Sequence, residues 1–184
     1  MSKSVLISIQ PYWVFLIIAK AMEWDTIKEK TVEVRKGRPK AESWNKVAKI
    51  YCSKDKKSFA KIPKEYQPFM KSLLGKVIGE FVCDEMYPIK VFSNCAVQNW
   101  ICFGLARSEI SLVDVAKYIG ANRTGYGWHI SNLTIYDKPK ELSEFCKPDI
   151  CTRGVQKYDC IGCWDCEIKR PPLSWCYVEE KAIL

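Results

Sequence analysis

The chain has 184 residues, of which 48% are hydrophobic and 12% are aromatic. This composition provides the core of one domain and excludes an intrinsically disordered chain. The formal charge of +8, from 29 basic and 21 acidic residues, favours a polyanionic partner, because each phosphate that is neutralised releases condensed counterions.

The first apolar stretch, from Val5 to Ala21, is interrupted by Gln10, Pro11 and Lys20. It is shorter than the roughly 20 residues that a membrane-spanning helix needs, and it lacks the pattern of a secretion signal. We interpret it as a buried strand followed by a buried helix, since proline is tolerated in the first turn of a helix. We therefore expect no membrane segment and a cytoplasmic protein.

Polar and apolar residues alternate strictly from Thr31 to Arg35. This pattern predicts a half-buried strand with Val32 and Val34 on one face and polar side chains on the other. A basic turn at Lys36–Lys40 follows this strand.

The remaining elements follow from turn and cap signals. Gly79 lies inside an apolar run and predicts a bulge in a central strand, and Ser111 and Asp114 have the spacing of a helix cap before the stop at Gly120. Ser53–Pro68 is predicted to be a charged loop. The predicted strands are Val5–Ile9, Thr31–Arg35, Lys46–Cys52, Val77–Asp84, Trp128–Tyr136 and Ser174–Glu179, and the predicted helices are Tyr12–Met22, Gln67–Leu74 and Ser111–Ile119.

Irregular segments separate most of these strands, and helices are few. Such an order favours an α+β fold with a strongly curved mixed sheet over a parallel array of strand–helix–strand units. We expect residues 1–184 to form a single domain.

Five of the ten cysteines lie between residues 145 and 169. Two overlapping Cys-x2-Cys spacings there predict a zinc knuckle with four thiolates around one structural zinc, because in a reducing compartment such a cluster indicates metal and not disulfides. Free, partly buried thiols are the alternative. We expect the zinc ligands to be Cys146, Cys151, Cys160 and Cys163, with Cys166 as the alternative, and Cys52, Cys83, Cys95, Cys102 and Cys176 to be core residues.

Four segments of the chain together resemble an ASCH domain, a member of the PUA-like superfamily. They are Ser8–Pro11 with the apolar helix after it, Lys30–Arg35, Trp128–Ser131 and Ser174–Val178. The Lys-Thr-x-Glu-x-Arg segment is the most specific of the four. The resemblance covers residues 5–136 and the last strand, so the cysteine-rich segment 145–169 is an insertion before that strand.

The resemblance implies a small PUA-like mixed β-barrel with flanking helices, and a cleft across the barrel that binds RNA, a nucleotide or a modified base. In that cleft Glu33 could accept from an exocyclic amine of a base, and Arg35 could donate to a base or a phosphate. An ordinary surface ion pair is the alternative. The expected ligand-binding residues are Ser8, Gln10, Lys30, Glu33, Arg35, Trp128, His129, Ser131, Trp175 and Tyr177.

The aromatic residues of this set allow two interpretations. Trp128, Trp175 and Tyr177 could stack on bases, or they could be core residues, as most tryptophans largely are. Trp175 and Tyr177 face the same way along the last strand, so they lie either in the barrel interior or at an open site.

Some relatives of this kind are enzymes, and one branch hydrolyses acetylated cytidine nucleosides with a lysine and a threonine. The lysine is present here as Lys30, but Glu33 occupies the position of the threonine, which argues against that amidohydrolase chemistry. Another branch is reported to cut RNA. Lys30, Glu33 and His129 are the candidates for acid–base catalysis. His129 is the only histidine and could equally be a partly buried hydrogen-bonding residue.

Three functional hypotheses follow from the sequence. The favoured one is a module that binds nucleic acid or a nucleotide, with RNA as the expected partner. The second is a hydrolase that acts on a nucleoside or on RNA, and the third is a protein-interaction module that docks through the zinc knuckle.

Overall fold

A computed structural model describes residues 3–40, 44–91, 111–120, 122–147 and 166–180. The strands are β1 (Lys3–Ile9), β2 (Val32–Arg35), β3 (Trp44–Cys52), β4 (Val77–Val82), β5 (Met86–Lys90), β6 (Thr124–His129), β7 (Ser131–Lys140), β8 (Phe145–Cys146) and β9 (Trp175–Glu180). The α-helices are α1 (Pro11–Ile18), α2 (Lys56–Phe59), α3 (Gln67–Leu73) and α4 (Leu112–Ile119).

The strands form two sheets. The larger has six strands in the order β7-β4-β3-β1-β9-β8, and the smaller has three in the order β2-β6-β5. The central pair β1 and β3 is parallel, while the other pairs are antiparallel. The mixed α+β class is confirmed. The predicted mixed β-barrel is wrong for the described residues, where the strands form two open sheets.

The two sheets are joined where β6 passes into β7. Ile130 lies between them, and Asn132 has a left-handed backbone with φ of 45°. At this point β7 takes three steps, from Ser131 to Thr134, against two steps of β4, which is a β-bulge that bends the strand. The Ser131 hydroxyl donates to the Val82 carbonyl at 2.8 Å and closes the bend. One continuous segment, predicted as a single strand, therefore serves both sheets.

The main core fills the space between the two sheets and around α1. Helix α1 is apolar over its whole length, so it is buried on several sides and not along a single stripe. Trp128 of the small sheet is 0% exposed, and its ring lies 5.6 Å from that of Trp44 and 6.2 Å from that of Trp175. These three tryptophans hold the sheets together.

A second, smaller core covers the outer face of the large sheet. Phe145 and Ile168 pack there with Leu6, Tyr51 and Val178. The two ends of the cysteine-rich segment thus lie against the sheet.

A polar network borders this second core. The Lys49 ammonium lies 2.7 Å from Glu80 and 2.9 Å from Glu180, and the Tyr136 hydroxyl donates to Glu80 at 2.7 Å. Burial opposes ionisation of both carboxyls, but the hydrogen bonds that they accept outweigh it, so the pKa of each lies below its usual value. Ion pairs and a hydrogen bond within the network therefore stabilise its charged groups.

Several local predictions need correction. The segment predicted as a charged loop contains α2, which Asp55 caps by accepting from Ser58 N, and a short 3-10 turn at Lys64–Tyr66. Strands β5 and β8 were not predicted. The first helix ends at Ile18 and not at Met22. The cap at Ser111 and the stop at Gly120, with φ of 97°, are confirmed.

No helix within the described ranges is long and apolar enough to cross a membrane.

Candidate functional site

Three charged side chains lie together at the edge strand of the small sheet. Glu33 Oε1 is 3.0 Å from Arg35 Nη2, and Glu33 Oε2 is 3.1 Å from Lys30 Nζ. All three residues are buried: Lys30 is 1% exposed, Glu33 5% and Arg35 6%. The predicted polar face of this strand is therefore directed inward, which corrects the expectation of a half-buried strand. We call these residues the Lys30–Glu33–Arg35 cluster.

Neighbouring elements hold the two cations of the cluster. Arg35 Nη2 donates to the Ser8 carbonyl of β1 at 2.7 Å. Lys30 Nζ donates to the Val32 carbonyl and lies 5.8 Å from the centre of the Trp13 ring of α1. The edge of the small sheet is thereby tied to the end of β1 and to α1, and the cluster is fixed before any ligand arrives.

A cavity of about 490 Å³ opens beside the cluster. Its volume falls within the roughly 300–1,000 Å³ range of small-molecule sites. Glu33 and Arg35 line it together with Ser8, Gln10 and Trp13. Other lining residues come from α4 and from the loop before β9: Asp114, Val115, Tyr118 and residues 171–173. We call it the Glu33–Arg35 cavity.

Two buried polar atoms beside this cavity have unused hydrogen-bonding capacity. Arg35 Nε donates no hydrogen bond, and Glu33 Oε2 accepts none. The Lys30 ammonium is near Glu33 Oε2 at 3.1 Å, but that contact is an ion pair without hydrogen-bond geometry. A buried polar group without a hydrogen bond is unfavourable, and both Arg35 Nε and Glu33 Oε2 are in this situation.

The remaining charges of the cavity are partly satisfied. Asp55 caps α2, and Asp114 accepts from the Ser111 hydroxyl at 2.8 Å. Lys36 lies 5.2 Å from the centre of the Tyr118 ring. Because three carboxylates and one guanidinium are among the described lining residues, the cavity suits a ligand with donors and acceptors better than a bare anion.

Eight of the ten predicted ligand-binding residues divide into two groups. Ser8, Gln10, Glu33 and Arg35 line the cavity, and Lys30 lies directly behind it. The aromatic residues instead face the space between the sheets, where Trp128 is fully buried and Trp175 packs against it. Tyr177 accepts a hydrogen bond from the Lys40 amide at 3.0 Å. Trp128 is thus a core residue in this structure.

His129 does not join the cluster. In the β2–β6 ladder Trp128 pairs with Glu33, whereas His129 pairs with Val32, so the Glu33 and His129 side chains point to opposite faces of the small sheet. His129 Nδ1 lies 2.6 Å from Asp84, and this hydrogen bond holds the pKa of Asp84 below its usual value. Lys30, Glu33 and His129 therefore do not form one catalytic group.

The structure adds cavity residues that the sequence analysis missed. Trp13, Tyr118 and Asp114 lie on helices whose packing cannot be read from local patterns, and Leu173 lies in an irregular segment. One usable signal was present: Trp13 follows Pro11 in the first turn of α1, so it had to lie close to the end of β1.

Two cysteines of the predicted zinc knuckle are described. Cys146 pairs with Glu167 across an antiparallel bridge, and the Lys147 amide donates to the Cys166 carbonyl at 2.9 Å. Cys146 and Cys166 therefore alternate to opposite faces of this short ladder. Cys151, Cys160 and Cys163 lie outside the described residues. Within the described ranges, no cluster of three or more metal-ligating side chains is present.

The other cysteines behave as expected where they are described. Cys52 and Cys83 are buried, and burial raises the pKa of each thiol to about 12. Cys176 is half-buried, and Cys95 and Cys102 lie outside the described residues.

The fold of this chain is similar to that of solved structures. The chain is similar to the crystal structure of the ASCH protein from Zymomonas mobilis, with a TM-score of 0.53, 15% identity and coverage of 96% of this chain and 88% of that one. Two variants of the same protein also match. The serine-to-alanine variant gives a TM-score of 0.53 at 15% identity, covering 98% and 91% of the two chains. The tyrosine-to-phenylalanine variant gives 0.50 at 14%, covering 97% and 92%.

No protein-family model and no curated protein matches the sequence. The likeness to the solved structures shows the fold: this chain has the ASCH fold, as its sequence motifs predicted.

Proposed function

We propose that the protein binds a nucleobase, as part of a nucleotide or of RNA, in the Glu33–Arg35 cavity. The observation that carries this proposal is the pair of buried, unused polar atoms, Arg35 Nε and Glu33 Oε2. The edge of a nucleobase presents a hydrogen-bond donor and an acceptor next to each other. Such an edge would satisfy both protein atoms at once.

The walls of the cavity agree with a flat, partly apolar ligand. Trp13 and Tyr118 supply aromatic surface, and Val115 and Leu173 supply aliphatic surface. Aromatic contact with a base is worth roughly 1–3 kcal/mol. The Gln10 amide, which can both donate and accept, lines the same cavity and could read a further group on the base.

The overall charge favours a ligand that carries phosphate. The chain has eight more basic than acidic residues, and Lys36 lies over the ring of Tyr118, a residue that lines the cavity. An RNA strand is therefore a better ligand than a free nucleoside, and its affinity is expected to fall as salt is added. The ASCH fold of the chain agrees with RNA as the partner.

The substitution Arg35→Lys tests this proposal. It keeps a positive charge near Glu33 but removes the Nε–H group, together with the Nη2 contacts to the Ser8 carbonyl and to Glu33. We expect nucleosides and nucleoside monophosphates to bind the wild-type protein in calorimetric titrations, and the variant to bind about tenfold more weakly, the equivalent of one hydrogen bond to a charged group.

Two controls belong to this experiment. Arg123→Lys changes an exposed arginine outside the cavity lining and should leave the affinity unchanged. Ribose 5-phosphate, which lacks a base, should not bind to this cavity. Equal affinities of wild type and Arg35→Lys for every nucleoside would contradict the proposal.

We further propose that the cysteine-rich segment binds one structural zinc through four of its cysteines. Its two ends are anchored on the large sheet by Phe145 and Ile168, so a metal would close the segment between fixed points. We expect about one zinc per chain, and loss of zinc in Cys163→Ser but not in Cys176→Ser. Elemental analysis of protein purified with added zinc checks this, and a metal-free wild type would contradict it.

A further inference from the structure

A second cavity lies on the other side of the tryptophan core. It has a volume of about 530 Å³. The residues that matter are Arg38 and Lys40 after β2, Trp44 and Lys46 of β3, and Asp84 and Met86 around the start of β5. We call it the Lys46 cavity.

The Lys46 cavity is separate from the Glu33–Arg35 cavity, and the two share no described lining residue. Across the small sheet, Trp128 pairs with Glu33 on one side and with Met86 on the other. Two strand spacings, or about 10 Å, therefore separate a residue of the first cavity from a residue of the second, with the buried Trp128 between them.

Positive charge dominates the Lys46 cavity. Arg38, Lys40 and Lys46 line it, and Asp84 is the one carboxylate among the described lining residues. That carboxylate is hydrogen-bonded to His129 at 2.6 Å. The loop that carries the first two cations is held in place, because the Arg38 guanidinium lies 5.1 Å from the centre of the Tyr126 ring and the Lys40 amide donates to Tyr177.

The backbone at Lys46 is an independent observation. Lys46 has a left-handed conformation with φ of 64°, which is uncommon for a residue with a side chain and unfavourable relative to glycine. It lies in a bulge, since the pairing of β1 with β3 moves from Lys3↔Trp44 to Val5↔Ala48. Asn45 supports the bulge by accepting from the Val47 amide at 3.0 Å.

Bulges redirect side chains, and strained residues are concentrated at binding sites. Glycine would suit the backbone at this position better, but it would remove the third cation of the cavity. We propose that the Lys46 cavity binds a phosphate of a nucleic-acid strand, and that the strained conformation of Lys46 serves to bring its ammonium group to that phosphate. This inference concerns the phosphate backbone and does not depend on base recognition in the Glu33–Arg35 cavity.

The test uses a fluorescent abasic oligodeoxyribonucleotide, which offers phosphates but no bases, and fluorescence anisotropy over a series of salt concentrations. In Lys46→Gly we expect roughly tenfold weaker binding and a salt slope that is smaller by about 0.7, the value for one phosphate contact on a single strand. The midpoint of denaturation of this variant should be equal to or higher than that of the wild type, because the strain is relieved. A role in folding alone would not separate affinity from stability in this way.

Further variants and a competition experiment complete the test. Lys46→Asn tolerates the same backbone but lacks the charge, so it should bind as weakly as Lys46→Gly, while Lys46→Arg should retain affinity. Lys71→Gln, an exposed lysine of α3, should bind like the wild type. Inorganic phosphate should compete only weakly with the strand.

The proposal is overturned if Lys46→Gly binds the abasic strand like the wild type. It is also overturned if Lys71→Gln loses as much affinity, which would show diffuse attraction, or if inorganic phosphate binds as tightly as the strand, which would show an ion site. Nucleoside titrations of the same variants should be unchanged, so a failure of base binding at Glu33–Arg35 is distinguishable from a failure here.

Discussion

Replacing Glu33 by alanine is expected to lower the free energy of unfolding by about 3–5 kcal/mol, the cost of breaking a buried ion pair by removing one partner. Lys30 and Arg35 are almost fully buried, and Glu33 lies within 3.1 Å of both. Without its carboxylate, two like charges would remain in a poorly solvated site with no anion between them. Urea denaturation at neutral pH measures the loss.

The matched control for this prediction is Glu65→Ala. Glu65 is an exposed glutamate, and its removal should change the stability by no more than about 0.5 kcal/mol. A similarly small effect of Glu33→Ala would mean that water reaches the cluster freely, and the picture of a prearranged cluster would then be wrong.

Replacing Trp128 by alanine is expected to lower the free energy of unfolding by about 3–5 kcal/mol, the usual cost of removing an aromatic side chain from a packed core. The side chain is fully buried between Trp44 and Trp175 and contributes to the contact between the two sheets. If Trp128 is a core residue and not a stacking platform, the fraction that remains folded should still bind nucleosides.

Trp13→Ala provides the comparison. Trp13 is only half-buried and lines the Glu33–Arg35 cavity, so this change should weaken nucleoside binding more than it weakens the fold. For both variants, calorimetric titration measures the nucleoside affinity and urea denaturation measures the free energy of unfolding. Loss of nucleoside binding in well-folded Trp128→Ala, with normal binding in Trp13→Ala, would reverse the two roles.

The sequence identified the Thr31–Arg35 strand and its charged residues, but neither its position at the edge of a sheet nor the burial of those residues. Alternation from Thr31 to Arg35 shows that side chains project to two faces, and it placed Glu33 and Arg35 together correctly. It cannot show that a second sheet covers the polar face. The burial depends on contacts between residues that are far apart in the chain, such as the hydrogen bond from Arg35 to the Ser8 carbonyl.

The join between the sheets was also invisible locally. The residue types from 128 to 136 predict a single strand, but Ile130 separates a strand of the small sheet from a strand of the large one. The bend depends on the left-handed backbone of Asn132, and asparagine is a weak signal for such a bulge because it also occurs in ordinary turns. The resemblance to ASCH domains predicted the likeness to the solved ASCH structures, but the barrel that it implied is replaced by two open sheets in the described residues.

The segment after β3 was predicted to be a charged loop, and this prediction failed for a different reason. Lysines dominate Ser53–Pro68, and a polar composition favours a loop. Asp55 nevertheless caps a short helix, and Pro63 and Gln67 are part of a compact turn whose Gln67 amide donates to the Ile62 carbonyl at 2.8 Å. Hydrogen bonds with specific partners, and not composition, determine the structure there.

The most direct test of the proposed function observes Arg35 itself. A ¹H–¹⁵N spectrum of the arginine Nε–H groups contains one signal for each of the six arginines, and the Arg35→Lys variant assigns the signal of interest by its absence. Arg35 Nε has no hydrogen-bond partner in the ligand-free protein. On titration with nucleoside monophosphates we expect the Arg35 signal to move downfield and saturate with the calorimetric affinity. An Arg35 signal that stays in place while a nucleotide binds would show that recognition occurs elsewhere, and the proposed function of this cavity would be wrong.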